Sequence, residues 1–150
     1  MNHALVVDSS VAIKLLLEEE FSDQAQTLYE ASVQAGRTLL APPHFSGEVC
    51  NALYQRLRTT MASRNITELE ADRALSIFLR LPIRAVSSIE LYQRAFVFAK
   101  NHRLLSMYDS LYVVAAQMVD AELWTADRRL FNGLGSAAPW VRWIGDYPVL

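Results

Sequence analysis

Two short, mostly apolar runs, each followed by an aspartate, are the feature that most constrains the fold of this 150-residue chain. The first is Ala4 to Val7, followed by Asp8, and the second is Leu123 to Ala126, followed by Asp127. Short apolar runs of this kind, bounded by polar residues, are typical of strands buried inside a parallel sheet. We therefore predict that both aspartates stand at the carboxyl ends of strands.

Helical and extended segments alternate along the rest of the chain. Further strands are predicted at Thr38–Ala41, before Pro42-Pro43, and at Val141–Ile144. Helices are predicted over Val11–Glu20, over Ser22–Ala35, from near Phe45, from capping-box sequences at Thr67 and Ser87, from Ser106, and over Arg128–Asn132 with Gly133 after it. The alternation predicts an α/β sandwich with a mostly parallel sheet. Because no repeat or linker interrupts it, we predict one domain over residues 1–150.

Asp109 lies in a segment that is otherwise built to be buried. Between Arg103 and Asp120 it is the single charged residue in a helical stretch rich in leucine, valine and alanine. An ionised carboxylate is disfavoured in an apolar environment unless a positive group compensates it. The segment supplies no such group, so we expect the compensation to come from elsewhere.

Glu48 joins these aspartates at one edge of the predicted sheet. Asp8 and Asp127 follow strands, whereas Asp109 and Glu48 fall near the starts of helices, and these positions meet beyond the carboxyl ends of parallel strands. At ~4 Å and an effective dielectric of about 20, each like-charge pair costs around 4 kcal/mol. Bound Mg²⁺ or Mn²⁺ reverses the sign of that interaction, and oxygen-only ligation favours such hard ions over zinc. A phosphodiester could be hydrolysed at such a site.

Each acidic residue also has a simpler interpretation, which the sequence leaves open. Asp8 and Asp127 could cap the helices that follow them, and Asp109 could belong to a capping box with Ser106. Glu48 could lie on an ordinary helix surface. The hydroxyls and polar groups expected to support the site or the substrate are Ser10, Asn51, Thr125 and Arg128.

Composition narrows the function classes. The net charge of −2 excludes a chain-wide basic field, so any nucleic-acid contact must be local, at clusters such as Arg56 with Arg58. The acidic run Glu18–Glu20 is expected to be solvated. A single cysteine and an amino terminus without signal-peptide features predict a cytoplasmic protein. The hydrophobic share of 52% favours a contact between subunits.

Four blocks of this chain resemble, in the same order, the motifs of the PIN-domain family, and in particular its VapC-type ribonuclease toxins. The blocks are Val6-Val7-Asp8-Ser9-Ser10-Val11-Ala12-Ile13-Lys14, Pro42-Pro43-His44-Phe45-Ser46-Gly47-Glu48-Val49-Cys50-Asn51-Ala52-Leu53, Tyr108-Asp109-Ser110-Leu111-Tyr112-Val113-Val114-Ala115-Ala116 and Leu123-Trp124-Thr125-Ala126-Asp127-Arg128-Arg129-Leu130. They extend over nearly the whole chain.

The resemblance implies a three-layer α/β sandwich with a mostly parallel sheet of about five strands, and a Mg²⁺-dependent endoribonuclease in which Mn²⁺ can substitute. Asp8 and Asp109 would be the main metal ligands, and Glu48 and Asp127 would complete the catalytic and metal site. The resemblance also implies an RNA substrate, a homodimer, and a cognate antitoxin protein that inhibits the enzyme, as in a type II toxin-antitoxin pair.

Two other functions stay open at this point, and a third is disfavoured. One is a PIN-domain nuclease of RNA processing outside any toxin-antitoxin system, and another is a non-catalytic module that binds RNA or a partner. Phosphotransfer on Asp8 is disfavoured, because that chemistry usually needs a second nearby acid and a lysine at the same edge, whereas Asp8 is followed by Ser9-Ser10-Val11.

Overall fold

The structure, a computed structural model, describes residues 3–149 and contains a five-stranded, wholly parallel sheet. The strands are β1 Ala4–Val7, β2 Thr38–Ala41, β3 Ile83–Ala85, β4 Glu122–Thr125 and β5 Val141–Trp143, in the spatial order β3-β2-β1-β4-β5. The helices are α1 Ser9–Leu16, α2 Ser22–Gln34, α3 Phe45–Arg58, α4 Glu68–Phe78, α5 Ile89–His102, α6 Met107–Met118 and α7 Arg128–Leu134. The predicted α/β sandwich is confirmed.

β1 occupies the centre of the sheet, between β2 and β4. Its pairing with β4 sets Val6 beside Leu123, and both side chains are fully buried. The four strands predicted from the sequence are present within one residue of the expected ends. β3 was not predicted by pattern, because it is only three residues long and lies at the sheet edge with two exposed side chains. A short, exposed edge strand carries little hydrophobic signal.

The helices cover the sheet in two groups. α6 lies against β1 and β4 and carries α5 on its outer side, whereas α1 packs on α2 and α3, and α4 packs on α3. α6 is buried along most of its length, from Ser110 to Ala116. None of the helices in residues 3–149 is long and apolar enough to cross a membrane.

Several predicted helix ends need correction. α1 ends at Leu16 instead of Glu20, because Leu17 is already extended. Glu19 in the following loop is not solvated as expected: it pairs with cations from two helices, as described below. α7 passes through Gly133 and ends at Leu134, and Gly135 after it has a φ of +52°, which favours glycine.

The predicted capping boxes have different outcomes. Thr67 and Glu70 form the complete reciprocal pair at the start of α4. At α5 the expected cap is wrong by one residue, since Ser88, not Ser87, accepts the hydrogen bond from the Leu91 amide. Both serines stand before the same apolar face, so the pattern alone could not select one.

The complete burial of Leu123 in β4 gives a stability prediction. We expect Leu123→Ala to lower the free energy of unfolding by about 2–5 kcal/mol, because it leaves a cavity in the fully buried core. Leu79→Ala removes the same atoms from a side chain that is 71% exposed, and it should change the free energy of unfolding by less than ~0.5 kcal/mol. Urea unfolding followed by circular dichroism measures both; equal losses would contradict the assignment of the core.

Candidate active site

The Asp8 carboxylate is buried at the carboxyl end of β1, with 5% of the residue exposed. Parallel pairing of Val7 with Trp124 brings Thr125, the last residue of β4, alongside it. The Thr125 hydroxyl donates to Oδ2 of Asp8 at 2.5 Å, and the Ser10 hydroxyl donates to the same oxygen at 2.8 Å. The two side chains proposed from the sequence as supporting hydroxyls therefore contact Asp8.

Burial raises the pKa of Asp8 above its ordinary value of 3.8. The hydrogen bonds from Thr125 and Ser10 act in the opposite direction, and the charges of Glu48 and Asp127 raise the pKa further. The carboxylate is thus held in place by neutral hydroxyls while its charge is opposed by its neighbours. Such a group gains from a nearby cation.

Asp127 stands two residues beyond the end of β4 and caps α7. Its Oδ1 accepts a hydrogen bond from the Leu130 amide at 3.1 Å, so the helix-cap interpretation describes a real contact. The turn is tied to the same hydroxyls as Asp8: the amide of Asp127 donates to Thr125 Oγ1, and the amide of Ala126 donates to Ser10 Oγ. One carboxylate oxygen caps the helix, which leaves the second available for another contact.

Glu48 lies in the first turn of α3 and is half-buried. Its Oε1 accepts a hydrogen bond of 2.6 Å from the Tyr112 hydroxyl, and His44 Nε2 lies 3.2 Å from the same oxygen at an angle that makes no hydrogen bond. Burial alone would raise the pKa of Glu48, but the contacts with His44 and Tyr112 outweigh it and lower the pKa. Glu48 is therefore ionised near neutrality.

Asp109 lies in the first turn of α6 and is half-buried. Burial raises its pKa to about 6, with further contributions from the charges of Asp8, Asp127 and Glu48 and an opposing one from Arg129. Ser106 caps α6 through the Tyr108 amide, one position earlier than a capping box with Asp109 requires. The structure therefore brings the four acidic residues Asp8, Glu48, Asp109 and Asp127 together as one acidic cluster.

The remaining predicted residues lie outside this network of contacts. Asn51 is exposed on α3. The Arg128 guanidinium stacks on the Trp143 ring at 3.8 Å from its centroid, which directs it toward β5. Its neighbour Arg129 instead shares a cavity of about 150 Å³ with Asp109. The roles predicted for Asn51 and Arg128 stay predictions.

Sequence reasoning missed the two residues that position Glu48. Tyr112 is buried in the apolar stretch of α6, and it stands three residues after Asp109 on the same helical face. His44 precedes Glu48 by four residues, a spacing that places both on one side of α3, and its ring packs against Tyr108 and Tyr112.

The donor chemistry of the acidic cluster suits a hard divalent cation. All four groups are carboxylates, and the charges of Glu48 and Asp127 act on both Asp8 and Asp109. Within residues 3–149, however, no three His, Cys, Asp or Glu side chains are arranged tightly enough to form a ready metal site. Asp8, Glu48 and Asp127 each hold a protein hydrogen bond instead. The ligand set therefore stays a prediction from donor type.

Comparison with known proteins relates the chain to one family. The model of the PIN domain matches residues 5–134. The chain is 29% identical over 126 residues to Ribonuclease VapC3 of Pyrobaculum aerophilum, covering 84% of this chain and 91% of that protein. It is also 29% identical over 134 residues to Ribonuclease VapC12 of Mycobacterium tuberculosis, covering 89% of this chain and 95% of that protein.

Solved structures share the fold. VapC20 of Mycobacterium tuberculosis, a sarcin-ricin loop cleaving toxin, matches with a TM-score of 0.60 and 15% identity over 83% of this chain and 92% of that one. VapBC2 of Rickettsia felis, bound to a DNA fragment from its promoter, matches with a TM-score of 0.60 and 13% identity over 93% and 96% of the two chains. At such identities the likeness concerns the fold alone.

The raised pKa of Asp109 gives a prediction for the metal-free protein. The folded state holds this proton more tightly than the unfolded state, so the stability contributed by Asp109 falls as pH rises from 3.8 through about 6. In EDTA near pH 7, Asp109→Asn should therefore raise Tm, and its Tm should depend less on pH than that of the wild type. Asp72→Asn on the exposed side of α4 makes the same chemical change as a control. Thermal unfolding across this pH range checks both, and a lower Tm for Asp109→Asn would contradict the electrostatic argument.

Proposed function

The chain belongs to the PIN-domain family, and from this premise we propose that it is an endoribonuclease that hydrolyses RNA phosphodiester bonds with a divalent metal ion. The observation that carries the proposal is the acidic cluster itself. The carboxylates come from separate parts of the chain to one edge of the sheet. Burial raises the pKa of Asp8 and of Asp109, and the charges of Glu48 and Asp127 raise both further. Cation binding would relieve this repulsion.

Mg²⁺ is the metal we propose, with Mn²⁺ as a substitute. Asp8 and Asp109 would be its main ligands, and Glu48 and Asp127 would complete the site. When bound, the ion supplies electrostatic stabilisation of charge on the phosphodiester and acidifies water. The proposal agrees with the donor set, which contains only oxygen atoms, because such sets select hard ions.

The chain's own residues hold the carboxylates in position. Thr125 and Ser10 fix the orientation of Asp8, and Tyr112 fixes that of Glu48. Because these groups are packed into the ends of strands and helices, the acidic cluster is preorganised before substrate binds. Loss of such an orienting hydrogen bond around a metal site typically costs about 10–100-fold in affinity or activity.

We propose that the enzyme is the toxin of a type II toxin-antitoxin pair in the cytoplasm. Support comes from the two relatives, each named as a VapC ribonuclease and aligned over most of its length. A cognate antitoxin protein would then inhibit the nuclease.

A homodimer is a further part of the proposal, and α5 offers the surface for it. One face of α5 packs Leu91 and Ala95 against α6. The opposite side exposes large apolar side chains, with Ile89 at 80% and Phe96 at 58% exposure, and Tyr92 lies between them at helical spacing. A contiguous apolar helix face of this kind typically marks a protein contact.

Cleavage of RNA tests the activity. Asp8→Asn and Asp109→Asn should each abolish Mg²⁺-dependent cleavage, because each removes a negative charge that the cation requires, while circular dichroism shows the fold unchanged. Asp72→Asn should cleave like the wild type. Growth of cells that express each protein supplies the second readout: the wild type should arrest growth and Asp8→Asn should not. Full cleavage by either cluster variant defeats the assignment.

The proposed dimer is tested by sedimentation at micromolar concentration. We expect the wild type to sediment as a dimer and Phe96→Glu as a monomer, because a charge placed in the α5 face must be desolvated on association. Leu79→Glu introduces the same charge at another exposed apolar position and should stay dimeric. A monomeric wild type removes the proposal, and dissociation by both variants would move the contact away from α5.

A further inference from the structure

A groove rich in cationic side chains opens beside the acidic cluster. It has a volume of about 600 Å³, within the roughly 300–1,000 Å³ typical of ligand sites. Its lining includes four cations and one carboxylate: Lys14, Arg56, Arg58, Arg64 and Glu19. We call this the basic groove. Since the whole chain carries a net charge of −2, the excess of positive charge here is local.

The basic groove is continuous with the acidic cluster. Ser10 and Ala126 line its inner end. The Ser10 hydroxyl donates to Asp8 and accepts from the Ala126 amide, so the same side chain belongs to the groove wall and to the support of the buried carboxylate. α1 carries both Ser10 and Lys14, one turn apart. A strand whose phosphate lies at the acidic cluster can therefore continue into the groove.

Glu19 pairs with both inner cations. Lys14 Nζ lies 3.1 Å from Oε1, and Arg56 Nη2 lies 2.6 Å from Oε2. The three side chains are only 13%, 18% and 22% exposed for Lys14, Arg56 and Glu19 respectively. Burial would raise the pKa of Glu19, but the hydrogen bonds from Arg56 and Lys14 outweigh it and lower the pKa. One ionised carboxylate thus serves two cations, and this largely desolvated group keeps a net charge of +1.

The two outer cations of the groove are freely accessible. Arg58 and Arg64 are both exposed, and the Arg58 guanidinium lies 5.8 Å from the centroid of the Tyr54 ring. Arginine binds phosphate oxygens through two parallel N–H donors, and an aromatic neighbour can also stack on a base. The groove therefore offers cations at its mouth and a partly neutralised pair at its inner end.

We propose that the basic groove binds the RNA phosphates that flank the scissile phosphate, and that Glu19 competes with those phosphates for Lys14 and Arg56. The inference rests on the proposed ribonuclease function and adds to it a location for the substrate strand and a residue that limits its affinity. Phosphate can replace the Glu19 carboxylate because both are anions that accept charge-assisted hydrogen bonds from the same donors. RNA binding then releases Glu19 from its ion pairs.

The competing interpretation is that the Lys14–Glu19–Arg56 contacts only fasten the loop after α1 to α3. The two interpretations predict different changes in RNA affinity for one variant, Glu19→Gln. If Glu19 competes with phosphate, Glu19→Gln frees two cations and strengthens RNA binding. If the contacts are only structural, Glu19→Gln lowers Tm and gives no gain in affinity.

The experiment measures binding of a short, fluorescein-labelled single-stranded RNA to the full chain in the Asp8→Asn background with Mg²⁺, as a function of salt. Each phosphate contact contributes about −0.7 to the slope of log K against log salt for a single strand. Glu19→Gln should tighten binding and steepen the slope by about −0.7, because it raises the net charge of the Lys14–Glu19–Arg56 group from +1 to +2. Arg64→Ala should weaken binding several-fold and flatten the slope by about 0.7, and so should Arg58→Ala.

Arg37→Ala is the matched control, because it removes the same charge immediately before β2, at the edge where the strands begin. Its affinity and slope should equal those of the Asp8→Asn parent. Unchanged or weaker binding by folded Glu19→Gln protein would overturn the role of Glu19, and a lower Tm in the same variant would favour the structural interpretation. Equal effects of Arg37→Ala and Arg64→Ala would show that charge acts without a groove, which overturns the location.

The outcomes also separate this inference from the proposed function. If wild-type protein fails to cleave RNA while the groove variants still change binding as expected, the ribonuclease proposal fails and the groove stands as an RNA-binding surface. If the wild type cleaves RNA but Glu19, Arg58 and Arg64 variants leave kcat/KM and binding unchanged, the nuclease stands and the groove fails. If the groove variants change the binding of an acidic peptide but leave RNA binding unchanged, the groove likewise fails as an RNA site.

Discussion

Burial of the Asp8 carboxylate between β1 and β4 is the constraint on which the rest of the site depends. The adjacency of these two strands is the reason that Thr125 can reach Asp8, although 117 positions separate them in the chain. Without this pairing the buried carboxylate would lose the Thr125 hydroxyl and keep that of Ser10, and its protonated form would be favoured more strongly. With it, the anion is oriented by hydroxyls at the one edge of the sheet where three more acidic side chains arrive.

Much of the sheet and of the acidic cluster could be predicted from the sequence, for identifiable physical reasons. A buried strand such as β1 must be apolar along its length, so its end and the polar residue after it are visible as a pattern. β3 gives no such signal because it is a three-residue edge strand, and Pro82 precedes it. The convergence of the acidic residues followed from a general rule about parallel sheets, which needs only the order of the elements.

Contacts between side chains from distant elements could not be predicted in the same way. The run Glu18–Glu20 has the composition of a solvated surface, and only the packing of α1 against α3 brings Arg56 to Glu19. Tyr112 lies in a run of apolar residues, so the sequence pattern does not indicate that its hydroxyl contacts Glu48. Arg128 and Arg129 are adjacent in the chain, yet α7 directs one toward Trp143 and the other toward the cavity that contains Asp109.

The turn after β4 has a consequence for the ionisation of Asp8 that reaches beyond orientation. The amide of Asp127 donates to the same Thr125 hydroxyl that donates to Asp8, and the amide of Ala126 does the same through Ser10. Hydrogen bonds in series polarise one another, so each amide makes its hydroxyl a stronger donor. Two backbone dipoles thereby share in solvating a carboxylate that they never touch. A threonine-to-serine change would preserve this relay, whereas valine would interrupt it without altering the shape of the strand.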